Sequence, residues 1–320
     1  MGGELSYREA GVDLGAARRL TDRLGGLVHG GTRGFAGLLP LPPTRDGLLV
    51  ACTDGVGTKV HLARELGRLD GLGQDLVAMS VNDLVCCGAR PLAFLDYVAV
   101  GRLDPDEVAA VVAGVAEACR VSGCALLGGE TAEHPGVVAP EHMDLAGFAV
   151  GVVERDAVIG PERVREGDVV LGLPSSGLHA NGFSLVRALV ARGALAADPD
   201  LLLAPTRLYA PDLAALAAAG VELHAAAHVT GGGLPENLPR VVPEGLRPAV
   251  SEGSWPMPPA IEAVRATGLV ADGEAWSTLN MGLGMCLVLP EAAVEPALAT
   301  LPGARRVGWI EPGPPGLRRV

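Results

Sequence analysis

The 320-residue chain contains a single lysine, Lys59; the other 24 of its 25 Lys and Arg residues are arginine. Asparagine is nearly as scarce, with four copies at 82, 181, 237 and 280. Aromatic residues make up 3% of the chain, so the core must be built mainly from Val, Leu and Ala. No apolar run approaches the roughly 18 residues of a membrane span, and the opening MGGELSYREAGVDL lacks a basic stretch followed by an apolar one. Neither a membrane anchor nor a secretory leader is therefore expected. The six cysteines, at 52, 86, 87, 119, 124 and 286, include no C-x-x-C pair. That argues against a zinc ribbon or a secreted disulfide framework and for buried, reduced thiols in the cytoplasm. A net charge of −12 excludes broad binding to nucleic acid or acidic membranes, but not an anionic small molecule in a local pocket. G-x-x-x-x-G-K-[ST] is absent, and no G-x-G-x-x-G follows a strand, so the P-loop and the dinucleotide fingerprint are both excluded.

What is present is concentrated. Ala, Gly, Pro, Arg, Val and Leu dominate, as in a GC-rich coding sequence, and the rare residues fall in short polar or glycine-rich motifs: TDGVGTK, SVNDL, SSGLHANG, TGGGLPEN and LNMGLGM. A lysine that survives such drift is a candidate for work that the planar, forked guanidinium cannot do. With 49% hydrophobic and 19% charged residues, the chain reads as soluble and globular, with two domains expected from its length.

Strands are expected at 48–53, 91–101, 124–130 and 145–154, and helices at 73–89 and 105–123, the latter with Pro near its start and Gly past its end. The charged stretch 155–168 separates an N-terminal domain, 1–156, from a C-terminal one, 165–320. The second half reads as strand 168–173, a loop at 174–182, helix 183–192, a helix over TRLYAPDLAALAAAG, strand HAAAHV, a loop with a short helix, and a proline-interrupted SEGSWPMPP. GMCLVLP, a helix at 291–301 and RRVGWIE close it. Alternating strands and apolar helices give an α/β or α+β class.

The first half gathers carboxylates at element ends. Asp54 stands where a strand breaks into Gly-Val-Gly-Thr-Lys. Gly55 and Gly57 let the backbone approach a ligand, while Thr58 offers a hydroxyl and Lys59 a cation. An Asp-Gly turn with an exposed lysine would explain the same residues. Asp75 and Asn82 lie seven apart on one face of the 73–89 helix, with Asp83 adjacent. Asn and Asp are poor helix-interior residues, so oxygen ligation of Mg²⁺ competes here with simple surface solvation. In LLGGETAEHPG, Gly128 and Gly129 end a strand, followed by Glu130, Thr131 and Glu133; Asp96 lies within the neighbouring strand. Such a cleft is too negative for a bare triphosphate, and metal ions would correct that.

The second half supplies two glycine-rich loops between a strand and a helix, PSSGLHANG and HVTGGGLPEN, each suited to a phosphate at a helix start. His179 sits between glycines and is a candidate substrate or acid–base group. The other six histidines form no metal spacing and are assigned structural or solvated roles.

These motifs, in this order, resemble phosphoribosylformylglycinamidine cyclo-ligase, also called aminoimidazole ribonucleotide synthetase. The match is carried by SYREAGVD, GFAGL, TDGVGTK, DLVAMSVNDLV, PLAFLDYVA, GGETAEHPG, AGFAVGVVE, SSGLHANGFSLVR, LLAPTRLY, HVTGGGLPENLPRV and LNMGLGM. The resemblance implies a cytoplasmic homodimer whose N-terminal sheets form a barrel at the interface, with α/β C-terminal domains outside. It implies ATP and Mg²⁺, and closure of formylglycinamidine ribonucleotide to aminoimidazole ribonucleotide with release of ADP and phosphate. Carried over residue by residue, Asp54, Lys59 and His179 would be catalytic. Lys59 would touch ATP phosphates, balanced by Asp54, and Gly55, Gly57, Thr58, Asp75, Asp96, Gly128, Gly129, Glu130 and Thr131 would line the ATP site. Asp54, Asn82, Asp83 and Glu130 would organise metal. Ser175, Ser176, Gly177, Asn181, Gly182, Thr230, Gly231, Gly232 and Gly233 would hold substrate, and the segment near GFAGL would be a lid over ATP. Rival readings are selenide–water dikinase, thiamine-monophosphate kinase, a hydrogenase-maturation dehydratase, and a nucleotide-binding homologue without turnover. The dikinase would want a reactive N-terminal Cys and the dehydratase a C-terminal one; the first cysteine is Cys52, and the chain ends LRRV.

Overall fold

The structure is a computed structural model that describes residues 14–27, 31–33 and 36–320. The SYREAGVD motif and the first two residues of GFAGL, on which the expected lid rests, lie outside the described residues.

In chain order the first half comprises α1 (Leu14–Leu24), a short antiparallel pair β1 (Gly31–Arg33) and β2 (Ala36–Leu38), β3 (Gly47–Gly55), α2 (Lys59–Glu65), α3 (Leu72–Val85), β4 (Arg90–Val100), α4 (Pro105–Ser122), β5 (Ala125–Glu133) and β6 (Met143–Glu154). The second half comprises β7 (Val169–Pro174), α5 (Phe183–Ala191), α6 (Pro199–Leu202), α7 (Ala210–Ala218), β8 (Ala225–His228), α8 (Gly233–Asn237) and β9 (Leu246–Val250). It ends with α9 (Pro259–Ala266), α10 (Asp272–Thr278), β10 (Leu283–Leu289), α11 (Val294–Thr300), β11 (Arg305–Pro312) and β12 (Arg318–Arg319). A four-stranded sheet runs β3-β6-β4-β5, and a six-stranded sheet runs β12-β9-β11-β7-β10-β8. The mixed α/β class expected from the sequence is what the chain adopts.

The two sheets are buried differently. All seven residues of β10 and the first five of β7 are buried, so the centre of the six-stranded sheet is covered on both faces. In the four-stranded sheet, β6 alternates buried with exposed or half-buried residues. The helices α3 and α4 pack on its inner face. The outer face carries apolar side chains in open solvent: Leu49 is 67% exposed, Phe148 43% and Leu95 36%. Phe148 pairs with both Thr53 and Leu95, and Leu49 pairs with Val152 further along the same face of β6.

Local chemistry explains the helices that position the site. The Asp104 side chain caps α4 by accepting from the Asp106 N–H at 2.9 Å, Pro105 occupies the first turn, and Gly123 ends the helix at φ 73°. The helix α3 is apolar on nearly every side, and of its 14 residues Gln74 and Asp83 alone escape burial. A helix buried all round must have protein on the face opposite its sheet. Here that protein is the irregular segment 204–209 from the second half, expected as the start of a helix that in fact begins at Ala210.

Candidate active site

Three titratable groups meet where β3 ends, α3 finishes and β8 ends. The Asp54 side chain accepts the Gly55 N–H at 2.7 Å. Its carboxyl is pushed above the usual range, first by burial and then by the nearby Asp83 carboxylate, while His228 opposes the shift. The Asp83 side chain is 47% exposed, and its Oδ1 lies 2.8 Å from His228 Nδ1. The Asn82 amide nitrogen lies 3.4 Å from His228 Nε2. An amide can only donate there, so the hydrogen-bond network assigns the His228 proton to Nδ1, facing Asp83. Cys52 sits beneath, its thiol pushed up to about 12 by burial and then by Asp83 and Asp54.

This arrangement corrects several expectations. Lys59 is 1% exposed and pairs with Asp75, not Asp54: Nζ lies 2.9 Å from Asp75 Oδ1 and 2.8 Å from Oδ2. The exposed-lysine turn is therefore overturned. So is the free face expected for Asp75, which is fully buried and also accepts the Thr206 N–H and hydroxyl, at 2.8 and 2.6 Å. Asn82 is equally enclosed. Its amide donates to the Arg207 carbonyl and its Oδ1 accepts the Tyr209 N–H, both at 2.9 Å, leaving it uncommitted to any metal. Glu130 is exposed and lies within β5, which runs on past the strand end expected at 130, and Glu133 accepts the Leu103 N–H. Among the described residues, no three His, Cys, Asp or Glu side chains gather into a metal cage. Asp54 and Asp83 nevertheless fit Mg²⁺. They are two oxygen donors close enough for the Asp83 carboxylate to raise the Asp54 pKa, and magnesium is commonly held by one or two carboxylates plus phosphate and water.

Asp96 is 7% exposed and lies across Gly129, where an added Cβ would fall 2.3 Å from Oδ1. Burial lifts its carboxyl to about 6. Thr131 is half-buried in β5, and the Thr58 hydroxyl lies 3.2 Å from that of Ser184.

The glycine loops are held from within. The Ser175 hydroxyl donates to the Gly177 carbonyl at 2.9 Å and lies 3.1 Å from Asn280 Oδ1. Asn280 also donates to the Gly177 carbonyl and accepts the Gly282 N–H, both at 2.8 Å. In the second loop, the Asn237 amide donates to the carbonyls of Gly231 and Gly233 at 3.0 and 2.9 Å, and the Thr230 hydroxyl lies 3.5 Å from its Oδ1. Gly233 has φ 59°, and a Cβ there would lie 1.9 Å from the Trp276 carbonyl, so only glycine fits. The two loops approach each other, because a Cβ at Gly231 would stand 3.8 Å from Asn181 Oδ1. Gly232 and Gly182 both have positive φ and serve as the residues before α8 and α5, with no side-chain cap at either helix.

His179 is a core residue, against the expectation of an accessible acid–base group. Its backbone turns left-handed, φ 61°, and the ring is fully buried with Nε2 accepting the Ser176 N–H at 3.2 Å and Nδ1 unpaired. Burial first, then nearby positive groups, hold the imidazole well below its ordinary pKa, so it is neutral. Gly284 makes the room: a Cβ there would strike the Tyr209 hydroxyl and His179 Cε1. Sequence reasoning misses His228, which it assigns a structural or solvated role. The available signal is its place just ahead of TGGG, at the end of an apolar strand.

The chain belongs to the AIR synthase related family, whose N-terminal domain model matches residues 36–153 and whose C-terminal domain model matches residues 165–317. Within that family it is 49% identical over 311 residues to the phosphoribosylformylglycinamidine cyclo-ligase of Thermosynechococcus vestitus, covering 92% of this chain and 91% of the relative. It is 48% identical over 333 residues to the cyclo-ligase of Myxococcus xanthus, covering 96% of each. These relatives are ligases of purine biosynthesis, the class that the ordered motifs implied. The fold is shared with the hydrogenase maturation protein HypE solved in complex with ATP, with TM-score 0.68 and 24% identity over 92% of this chain and 86% of that one. It is also shared with thiamine-monophosphate kinase from Stenotrophomonas maltophilia, with TM-score 0.67 and 22% identity over 96% of each chain. Among the described residues no helix is long and apolar enough to cross a membrane.

Proposed function

We propose that this ligase uses ATP to close formylglycinamidine ribonucleotide into aminoimidazole ribonucleotide. The γ-phosphoryl group passes to the formyl amide oxygen. The amidine nitrogen then attacks that carbon, the C–N bond forms, the C–O bond breaks, and phosphate and ADP leave. No protein nucleophile is needed, so the chain's task is positioning and charge control. The observation that carries this reading is the Asp54–Asp83–His228 group beside the two facing glycine loops. Asp54 and Asp83 are the groups suited to hold Mg²⁺, which when bound would neutralise phosphate charge; Glu130 joins them on its motif alone. Gly55, Gly57, Thr58, Gly128, Gly129 and Thr131 are the backbone and hydroxyl positions assigned to ATP. Ser176, Asn181 and the 230–233 loop are assigned to the ribose phosphate, with Ser175 and Asn280 keeping the first loop in shape. Residues 1–156 form the ATP and dimerisation unit and 165–320 the substrate unit, in a cytoplasmic enzyme. Phosphate release from ATP should require formylglycinamidine ribonucleotide. Release driven by selenide or thiamine monophosphate instead would overturn the reading.

The open apolar face of the four-stranded sheet supports a homodimer in which a second copy covers it as a barrel. A face holding Leu49, Phe148 and Leu95 in solvent is costly, at roughly 25 cal/mol per Å² of apolar surface. Sedimentation should show a dimer, and Leu49→Asp with Phe148→Asp should yield monomer with the fold retained.

A further inference from the structure

We infer that Lys59 is a positioning residue, an interdomain bolt that sets the 174–182 loop by fixing the segment against which that loop rests; this rests on the assignment of the loop to substrate. The Lys59 ammonium has three neighbours from different parts of the chain. It pairs with Asp75 on α3, donates to the Ala204 carbonyl at 2.9 Å, and stands 5.5 Å from the centroid of the Phe183 ring. Asp75 completes the knot by accepting both donors of Thr206, and Gln74 donates to the Thr206 carbonyl at 2.8 Å. Residues 204–206 are thus tied to α2 and α3 through a buried ion pair and the hydrogen bonds around it.

The loop hangs on that segment at one end and on Lys59 itself at the other. The Ser176 hydroxyl donates to the Pro205 carbonyl, and a Cβ at Gly177 would lie 3.4 Å from the Ala204 methyl. Ser176 in turn gives its N–H to His179, so the loop's interior follows the same segment. At the far end Phe183, the first residue of α5 after Gly182, packs its ring beneath the ammonium, and Thr58 reaches Ser184 beside it. A compact ammonium can serve a carboxylate, a carbonyl and a ring face at once from a site with no solvent gap. A guanidinium carries the same charge in a larger planar fork and does not fit. A buried pair of this kind is a poor source of net stability, because desolvation offsets the attraction, and a good source of a unique arrangement. That accounts for the survival of one lysine in a chain whose other Lys and Arg positions are all arginine.

The test uses the full chain with Lys59→Met and Asp75→Asn together, which removes both charges, keeps the volumes close and leaves an amide oxygen for Thr206. Hydrogen exchange in peptides covering 174–183 should quicken about tenfold or more, with β7 unchanged. The KM for formylglycinamidine ribonucleotide should rise about tenfold, while calorimetric affinity for a non-hydrolysable ATP analogue stays within about twofold; tenfold corresponds to ~1.4 kcal/mol. Lys59→Arg should fail to restore either value. Thr206→Val, which removes one hydroxyl and keeps the backbone bond, gives a milder version if the double variant does not fold, with a smaller rise in the same KM. Loss of analogue affinity with unchanged loop exchange would overturn the inference in favour of direct phosphate contact, as would no change in either. Because the exchange measurement needs no substrate, it stands even if wild-type enzyme fails to turn over formylglycinamidine ribonucleotide, a result that would remove only the functional reading.

Discussion

The acidic side of the site and the glycine-loop side spend their polar residues in opposite ways. On the loop side, Asn237 and Asn280 are consumed holding backbone carbonyls and amides in place, and His179 is walled into the core. What those loops present outward is therefore mostly main chain. On the acidic side, Asp75 and Asn82 are consumed in the same manner, but Asp54 and Asp83 are left with carboxylates that repel each other and reach solvent. One side is a shaped surface and the other a charge trap. A phosphate chemistry needs both, since a negative cleft can hold nucleotide only with a cation, and a neutral loop of N–H groups can hold an anion without one.

That contrast is broken most directly by removing charge without shape. Asp54→Asn should lower substrate-dependent phosphate release by about 100-fold, on the scale of losing one preorganised electrostatic group, with little change in melting temperature. An equal loss of stability would mean that Asp54 is structural, like its neighbours. The mirror experiment removes shape without charge. Asn280→Ala deletes the donor to Gly177 and the acceptor for Gly282 and Ser175. It should cost about 2 kcal/mol of stability, because buried backbone groups lose their partners, and should raise the substrate KM with ATP affinity unchanged. If unfolding is unmoved while turnover collapses, Asn280 touches the substrate and the loop side is not purely a main-chain surface.

The same contrast explains what is legible in the sequence. The strand expected at 48–53 is β3, Gly47–Gly55, and the helix expected at 183–192 is α5, Phe183–Ala191, because apolar runs with glycine boundaries are local signals. The helix α2 escapes sequence reasoning, since it is seven residues long and starts without a side-chain cap. The carboxylates that reach solvent can be found because Asp54 and Asp83 sit near element ends. The partners of the buried ones cannot. Lys59 meets a carbonyl 145 residues away and Asn82 an N–H 127 residues away, and no spacing rule reports such a distance. The scarcity of Lys and Asn marks the right positions and misstates their work, since rarity under drift reports that a residue is irreplaceable and not whether it faces ligand or core. His228 escapes for the reverse reason, being a polar residue at the end of a short buried strand that reads as core.

Asp96 is the intermediate case, and it sharpens the boundary between consumed and available acids. It is nearly as buried as Asp75 but has no lysine against it, and burial alone lifts its carboxyl to about 6. A folded-state pKa above the unfolded value near 3.8 means that the folded protein holds the proton more tightly. Stability attached to this group is therefore present in acid and lost as pH rises from about 4 to about 6, after which the penalty is constant. The ceiling on that penalty is about 3 kcal/mol, the free energy of moving a carboxyl pKa from about 4 to about 6. Asp96→Asn removes the charge but must still desolvate an amide, so a net gain of about 1 kcal/mol is expected at pH 8 and none at pH 4. Thermal melts of both proteins across that range would show the difference in Tm growing from zero to a plateau of about 2 °C. A difference independent of pH would show that the Asp96 carboxylate carries no net penalty in the fold. A difference of opposite sign, with the carboxylate stabilising at high pH, would reveal a cationic partner and move Asp96 to the consumed side of the comparison.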